Sequence, residues 1–227
     1  MIYEIRISGN ENENGKIELD RLIQLAQSIM DIAKGSLQIR LNGISTEKGR
    51  KSDTINNAAR ILLSSIKPGS TVLELECEPF KKTLEGYQPE LFNNEALFEL
   101  PSQTPVTLVM ETFREALNQK DEYNFLDKPL LKKLKTFQRA FSSTNELITI
   151  SNRGSIEGIE LKKNDFKKIH TLEERFPEPK EIIINGIVDE LKYSKARVTI
   201  NTTEGSVNAV FSDDFDTDEI AKYWGKI

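Results

Sequence analysis

His170, Cys77 and the aspartates at 214, 216 and 218 are the residues of this 227-residue chain whose types and spacing suit catalysis or metal binding. His170, the single histidine, sits in Lys167-Lys168-Ile169-His170-Thr171, close to Glu173 and Glu174. A general base is chemically conceivable there, but no serine or cysteine in a nucleophile context accompanies it. A surface or helix-end histidine is the expectation. Cys77, the single cysteine, falls on the apolar face of a predicted strand between Glu76 and Glu78. That setting raises a thiol pKa, so Cys77 reads as core packing. One cysteine excludes an internal disulfide and a cysteine-based zinc cage, and fits a reducing compartment.

Asp214, Asp216 and Asp218 have the spacing of the first three ligands of an EF-hand loop. The sixth and twelfth positions, which need Gly and Glu, hold Glu219 and Gly225 instead, and the motif fails. Acids at a helix N-terminus oppose its positive dipole end, which is the simpler account of them. Glu74, Glu76 and Glu78 on one strand face read as solvated charges. Gly49, Gly154 and Gly158 have neither Walker nor dinucleotide spacing. No cofactor and no metal is expected.

Basic residues offer a second kind of chemistry. Lys48, Arg50 and Lys51 cluster around Gly49, and Lys128, Lys132, Lys135 and Arg139 recur along one face of a predicted helix. With Lys162, Lys163, Lys167 and Lys168 they form a candidate phosphate-contacting surface, against the plainer reading of a solvated helix face. The whole chain carries 31 Lys+Arg against 36 Asp+Glu, net −5, which excludes a generally basic nucleic-acid coat protein.

The elements that must position these residues follow from hydrophobic periodicity. Residues 2–8 alternate as a strand, with Tyr3, Ile5 and Ile7 on one face. Leu19 to Ala33 has helical spacing, with Gly35 as the stop, and Leu37, Ile39 and Leu41 alternate as a second strand ending at Asn42-Gly43. Residues 53–66 fit a helical stripe, yet 60–66, 67–70 and 71–77 also read as strand, turn and strand; a short helix near 53–59 running into a hairpin is favoured. Residues 79–103, with Pro79, Pro89 and Pro101, form an irregular connection. Thr104 as N-cap and Pro105 at the first helical position open a helix over about 104–120. A second helix spans 127–141, 147–151 is a strand with Ile148 and Ile150 inward, 156–161 another, and 165–174 a short helix. Phe176-Pro177-Glu178-Pro179-Lys180 disfavours both helix and ladder.

The C-terminal segment alternates as three strands, 181–191, 195–201 and 207–211, with Gly186 a point of sharp bending and Glu204-Gly205 a turn. Asp216, Glu219, Phe215 and Ile220 then occupy capping-box and staple positions of a helix closed by Gly225. Strand, strand, strand, helix resembles the opening of an OB-fold over about 47 residues. The sequence ends at Lys226-Ile227, where a fourth strand would begin, and three strands leave an open edge. Residues 181–227 hold five Lys+Arg against nine Asp+Glu, and Tyr193 and Phe211 are the aromatics the three strands offer for base stacking. An acidic, open-edged module suits a protein partner better than a nucleic acid.

The fold class expected is α+β: a mixed domain over 1–176, a linker at 177–180, and an incomplete β-barrel over 181–227. The N-terminal segment Met1–Ile7 is charged, unlike a signal peptide, and no apolar run approaches the roughly 18 residues of a membrane span; a cytoplasmic protein with no membrane contact is expected. The chain, with its Gly69–Glu76 run, resembles bacterial proteins that have no defined functional family, and that resemblance implies an antitoxin-like or defence-associated accessory subunit. The function expected is non-catalytic, through another protein or a second copy of this chain covering the open edge of 181–227. The alternative is a nucleic-acid-binding protein that uses the basic stripe.

Overall fold

The computed structural model describes residues 1–9, 16–45, 53–67, 71–85, 99–118, 123–152, 158–176, 183–192, 197–203 and 205–210. The fold is α+β, in two compact units, 1–177 and 178–227. The linker residues 177–180 and the helix expected near 216–225 lie outside the described residues. Among those described, no helix is long and apolar enough to cross a membrane.

In the first unit β1 (Ile2–Ser8) is followed by α1 (Leu19–Asn42), α2 (Asp53–Ala58), β2 (Leu62–Lys67), β3 (Thr71–Glu76) and α3 (Phe80–Thr83). Then come α4 (Pro105–Leu117), α5 (Lys128–Thr136), β4 (Leu147–Asn152), β5 (Ile159–Lys162) and α6 (Phe166–Arg175). The five strands make one antiparallel sheet in the order β2-β3-β1-β4-β5. The alternation expected of β1 is the one observed: Tyr3, Ile5 and Ile7 are buried. They share a core with Leu73 and Leu75 of β3, Ile148 and Ile150 of β4, and the inner faces of α1, α4, α5 and α6. At its centre Phe113, Phe137, Phe141 and Phe166 meet mostly edge to face, the closest centroids being 5.2 Å apart, a packing that satisfies the ring quadrupoles.

The helix-then-hairpin reading of 53–77 holds, with a β-bulge between Leu63 and Ser65. So does the cap of α4. Thr104 Oγ1 accepts from the Thr107 backbone N–H at 3.2 Å, and Thr107 Oγ1 accepts from Thr104 N–H at 2.7 Å, two donors satisfied reciprocally. The helix expected over 127–141 is α5 capped by Asp127, tightening to a 3-10 turn at Phe137–Ala140.

Two expectations are corrected. Residues 37–41 are not a strand: α1 continues through Gly35 to Asn42. Leu37 and Leu41 are four apart as well as alternate, so both templates fit them. Gly35 is a contact rather than a stop, since a Cβ there would lie 2.9 Å from Leu130 Cδ1. The stop is Gly43, left-handed at φ 79°, whose N–H donates to Ile39 O, as the left-handed cap requires. The connection 79–103 is also less irregular than expected. Buried Phe80 anchors α3, and a 3-10 turn forms at Leu100–Ser102.

The second unit holds β6 (Ile187–Lys192), β7 (Arg197–Thr202) and β8 (Gly205–Val210), an antiparallel sheet in the order β6-β7-β8. Among the described residues it is an open sheet and not a closed barrel.

Candidate interaction surfaces

The C-terminal sheet is organised by register. Val188 of β6 stands opposite Ile200 of β7, and Ile200 stands opposite Val207 of β8, so three β-branched side chains form one row across the strands. Val198 and Ala209 pair beside them on the same face. Val198 is buried, while Val188, Ile200, Val207 and Ala209 are half-buried and Ile187 is exposed. Gly205, at φ 136°, makes the β7–β8 turn, and Thr202 Oγ1 donates to Gly205 O at 2.7 Å. Among the described residues β6 and β8 each pair with β7 alone, which leaves one row of backbone donors and acceptors on either side.

The basic stripe is real as a helix face and weaker as a charge. Lys128, Lys132 and Lys135 lie on α5 and are half-buried, and Arg139 follows, exposed, in the 3-10 turn. The structure brings Lys135 and Arg139 together with Lys163 around a cleft of about 440 Å³ that Phe141 also lines. Lys135 is not available there as a full charge, because its Nζ donates to Glu173, whose side chain is 9% exposed. Burial pushes the Glu173 carboxyl up, but the Lys135 hydrogen bond and charge, with His170 adding to them, hold it below the usual carboxylate range. Glu173 is the residue the sequence reading missed. It lies 38 positions from Lys135, so no local spacing pairs them. Lys162, Lys167 and Lys168 are exposed and do not line the cleft. Lys48, Arg50 and Lys51 lie outside the described residues.

Of the remaining candidates, His170, Cys77 and Glu74 fall within the described residues. His170 is exposed, with its ring nitrogens 3.7 Å from Glu173 and 3.5 Å from Glu174. Cys77 is buried; burial pushes its thiol up, against hydrogen bonds with Thr104 and the Val106 backbone. Burial, not the flanking acids, is the main cause. Glu74 is not simply solvated: it is half-buried and bonded to Lys67, whose Nζ also lies 3.6 Å from Glu4. Asp214, Asp216 and Asp218 lie outside the described residues. Among the described residues no group of three or more His, Cys, Asp or Glu is placed to hold a metal ion. Comparison with protein-family models, with curated proteins and with solved structures gives no match for this chain.

Proposed function

We propose that this chain is a non-catalytic interaction or accessory subunit that docks a partner protein, or a second copy of itself, on the sheet formed by residues 187–210. The row Val188–Ile200–Val207 carries the reading. It is apolar and half-buried on a three-stranded sheet, and sheets this small gain independent stability by covering such a face or extending the ladder. An antitoxin-like or defence-associated setting belongs to the same proposal, as the resemblance of the sequence implies. The test is photo-cross-linking of the full chain in its native cells from a benzoylphenylalanine at Ala209, half-buried on β8 and on the same face as Val207, beside a control at exposed Lys168 on α6. A discrete adduct from position 209, absent from 168 and lost in Val207→Lys, is expected. No adduct from 209, in a chain that sediments as a monomer, overturns the proposal.

The cleft at Lys135, Arg139 and Lys163 favours a second reading, nucleic-acid binding through phosphates. It requires salt-sensitive mobility shifts of short oligonucleotides that are lost in Arg139→Glu/Lys163→Glu.

A further inference from the structure

We propose that the cleft between the end of α5 and the turn after β5 binds a single phosphate monoester, carried on a free nucleotide or at the end of a nucleic-acid strand. The inference rests on the phosphate reading of that cleft and names the chemistry it takes.

The cations stand on packed elements. Arg139 lies in the 3-10 turn Phe137–Ala140, and Lys163 opens the 3-10 turn Lys163–Asp165 that joins β5 to α6. The aromatic core ties the two turns together. Phe166 stacks on Phe137 with centroids 6.1 Å apart and meets Phe141 edge to face at 5.6 Å, and Phe137 and Phe166 are fully buried. The backbone that carries both charges is therefore fixed before a ligand arrives, which lowers the ordering cost of binding.

Those charges are uncommitted. Among the described residues no hydrogen bond or ion pair holds the side chain of Arg139, Lys163 or Gln138, all of which line the cleft. Lys135 is shared with Glu173, which does not line it. Thr136 Oγ1 donates to Lys132 O at 3.0 Å. No acid is among the lining residues, so an anion entering here meets N–H donors and positive charge without a carboxylate.

The convergence of the cations points to a monoester. A phosphodiester inside a strand carries one negative charge, whereas a monoester carries about 1.5 to 2 near neutral pH and presents three acceptor oxygens. Arg139 and Lys163, with part of the Lys135 charge, match the second. A groove for the interior of a strand tracks the backbone with charges along its length. Here Lys128, Lys132, Lys162, Lys167 and Lys168 do not line the cleft. Its volume of about 440 Å³ exceeds a bare phosphate and falls within the roughly 300–1,000 Å³ of small-ligand pockets. Phe141, 4% exposed, adds an apolar patch to the lining for the sugar or base.

The test is calorimetric titration of the full chain, at low and constant salt, with four probes. Adenosine monophosphate is compared with its cyclic form, the matching diester, and a phosphate-ended oligothymidylate with a hydroxyl-ended one. Saturable one-to-one binding of the monophosphate or of the phosphate-ended strand is expected, about tenfold tighter than its diester or hydroxyl-ended counterpart, and whichever binds identifies the source. Arg139→Gln and Lys163→Gln should each weaken it about tenfold, the scale of one charge-assisted hydrogen bond, with unchanged melting temperatures. Lys168→Gln, exposed and outside the cleft, should leave the affinity as it is. No saturable binding of either monoester, equal affinity for the cyclic form, or unchanged affinity in both cleft variants overturns the site. A hydroxyl-ended strand that binds as tightly as the phosphate-ended one also overturns it, while leaving the wider nucleic-acid reading standing. Binding of the monophosphate with no binding of either strand does the reverse.

Discussion

Gly35 of α1 and Leu130 of α5 approach so closely that a β-carbon on Gly35 would stand 2.9 Å from Leu130 Cδ1 and 3.2 Å from Lys133 Nζ. Leu130 is fully buried, so it has little room to withdraw. Gly35→Ala gains about 1 kcal/mol of helix propensity, which offsets the shift it forces, and its stability should stay within about 1 kcal/mol of the native chain. Gly35→Val adds bulk without that gain and should lose about 2 kcal/mol or more. Urea unfolding of the two variants distinguishes a contact glycine, where the loss grows with side-chain bulk, from a left-handed helix stop, where Ala alone would already cost about 1 kcal/mol or more.

Gly186 precedes β6 at a closer approach still. A Cβ there would lie 2.4 Å from Asn201 O and 2.7 Å from Ile200 Cγ2. Backbone cannot step aside as a side-chain tip can, so Gly186→Ala should destabilise the β6–β7 pairing by about 1–3 kcal/mol. Hydrogen exchange should report it as lost protection at Thr199–Asn201, with the strands of the first unit unchanged.

Arg21 of α1 and Glu146, ahead of β4, are 6% and 0% exposed and bonded at 2.8 Å. Arg21 Nε also donates to Ala140 O at 2.8 Å, and Glu146 Oε2 accepts the Ser142 N–H at 2.7 Å. Arg21→Met strands a buried carboxylate and should cost about 3–5 kcal/mol. Arg21→Met/Glu146→Met removes both charges and should recover part of that loss in the same denaturation assay.

Glu173 titrates below the usual carboxylate range because the bond and charge from Lys135, with His170, outweigh burial. A depressed folded pKa contributes stability that is present above the unfolded value and lost as pH falls through the folded one. Lys135 is 37% exposed, so screening limits the pair to about 1 kcal/mol. The stability gap between the native chain and Lys135→Met should therefore be constant near neutrality and close as pH falls below about 4, measured by thermal melts at fixed ionic strength.

Much of this fold is written in short-range pattern. Tyr3, Ile5 and Ile7, or Ile148 and Ile150, declare their inward face by alternation alone, and Thr104-Pro105 announces a helix start because the cap is made by neighbours in the chain. Gly35 shows where that logic ends. The same residue permits a stop or a close helix crossing, and only the presence of Leu130 opposite it selects the second. The sites divide in the same way. The Lys128–Arg139 stripe is periodic and visible, whereas its partial neutralisation by Glu173 is not. The grouping of Arg139 and Lys163 around one cleft is likewise invisible in the one-dimensional string. Periodicity records which side of an element turns from water. Which charge meets which across distant segments depends on how the elements pack, and it is this packing that brings Lys135 to Glu173 and Lys163 to Arg139.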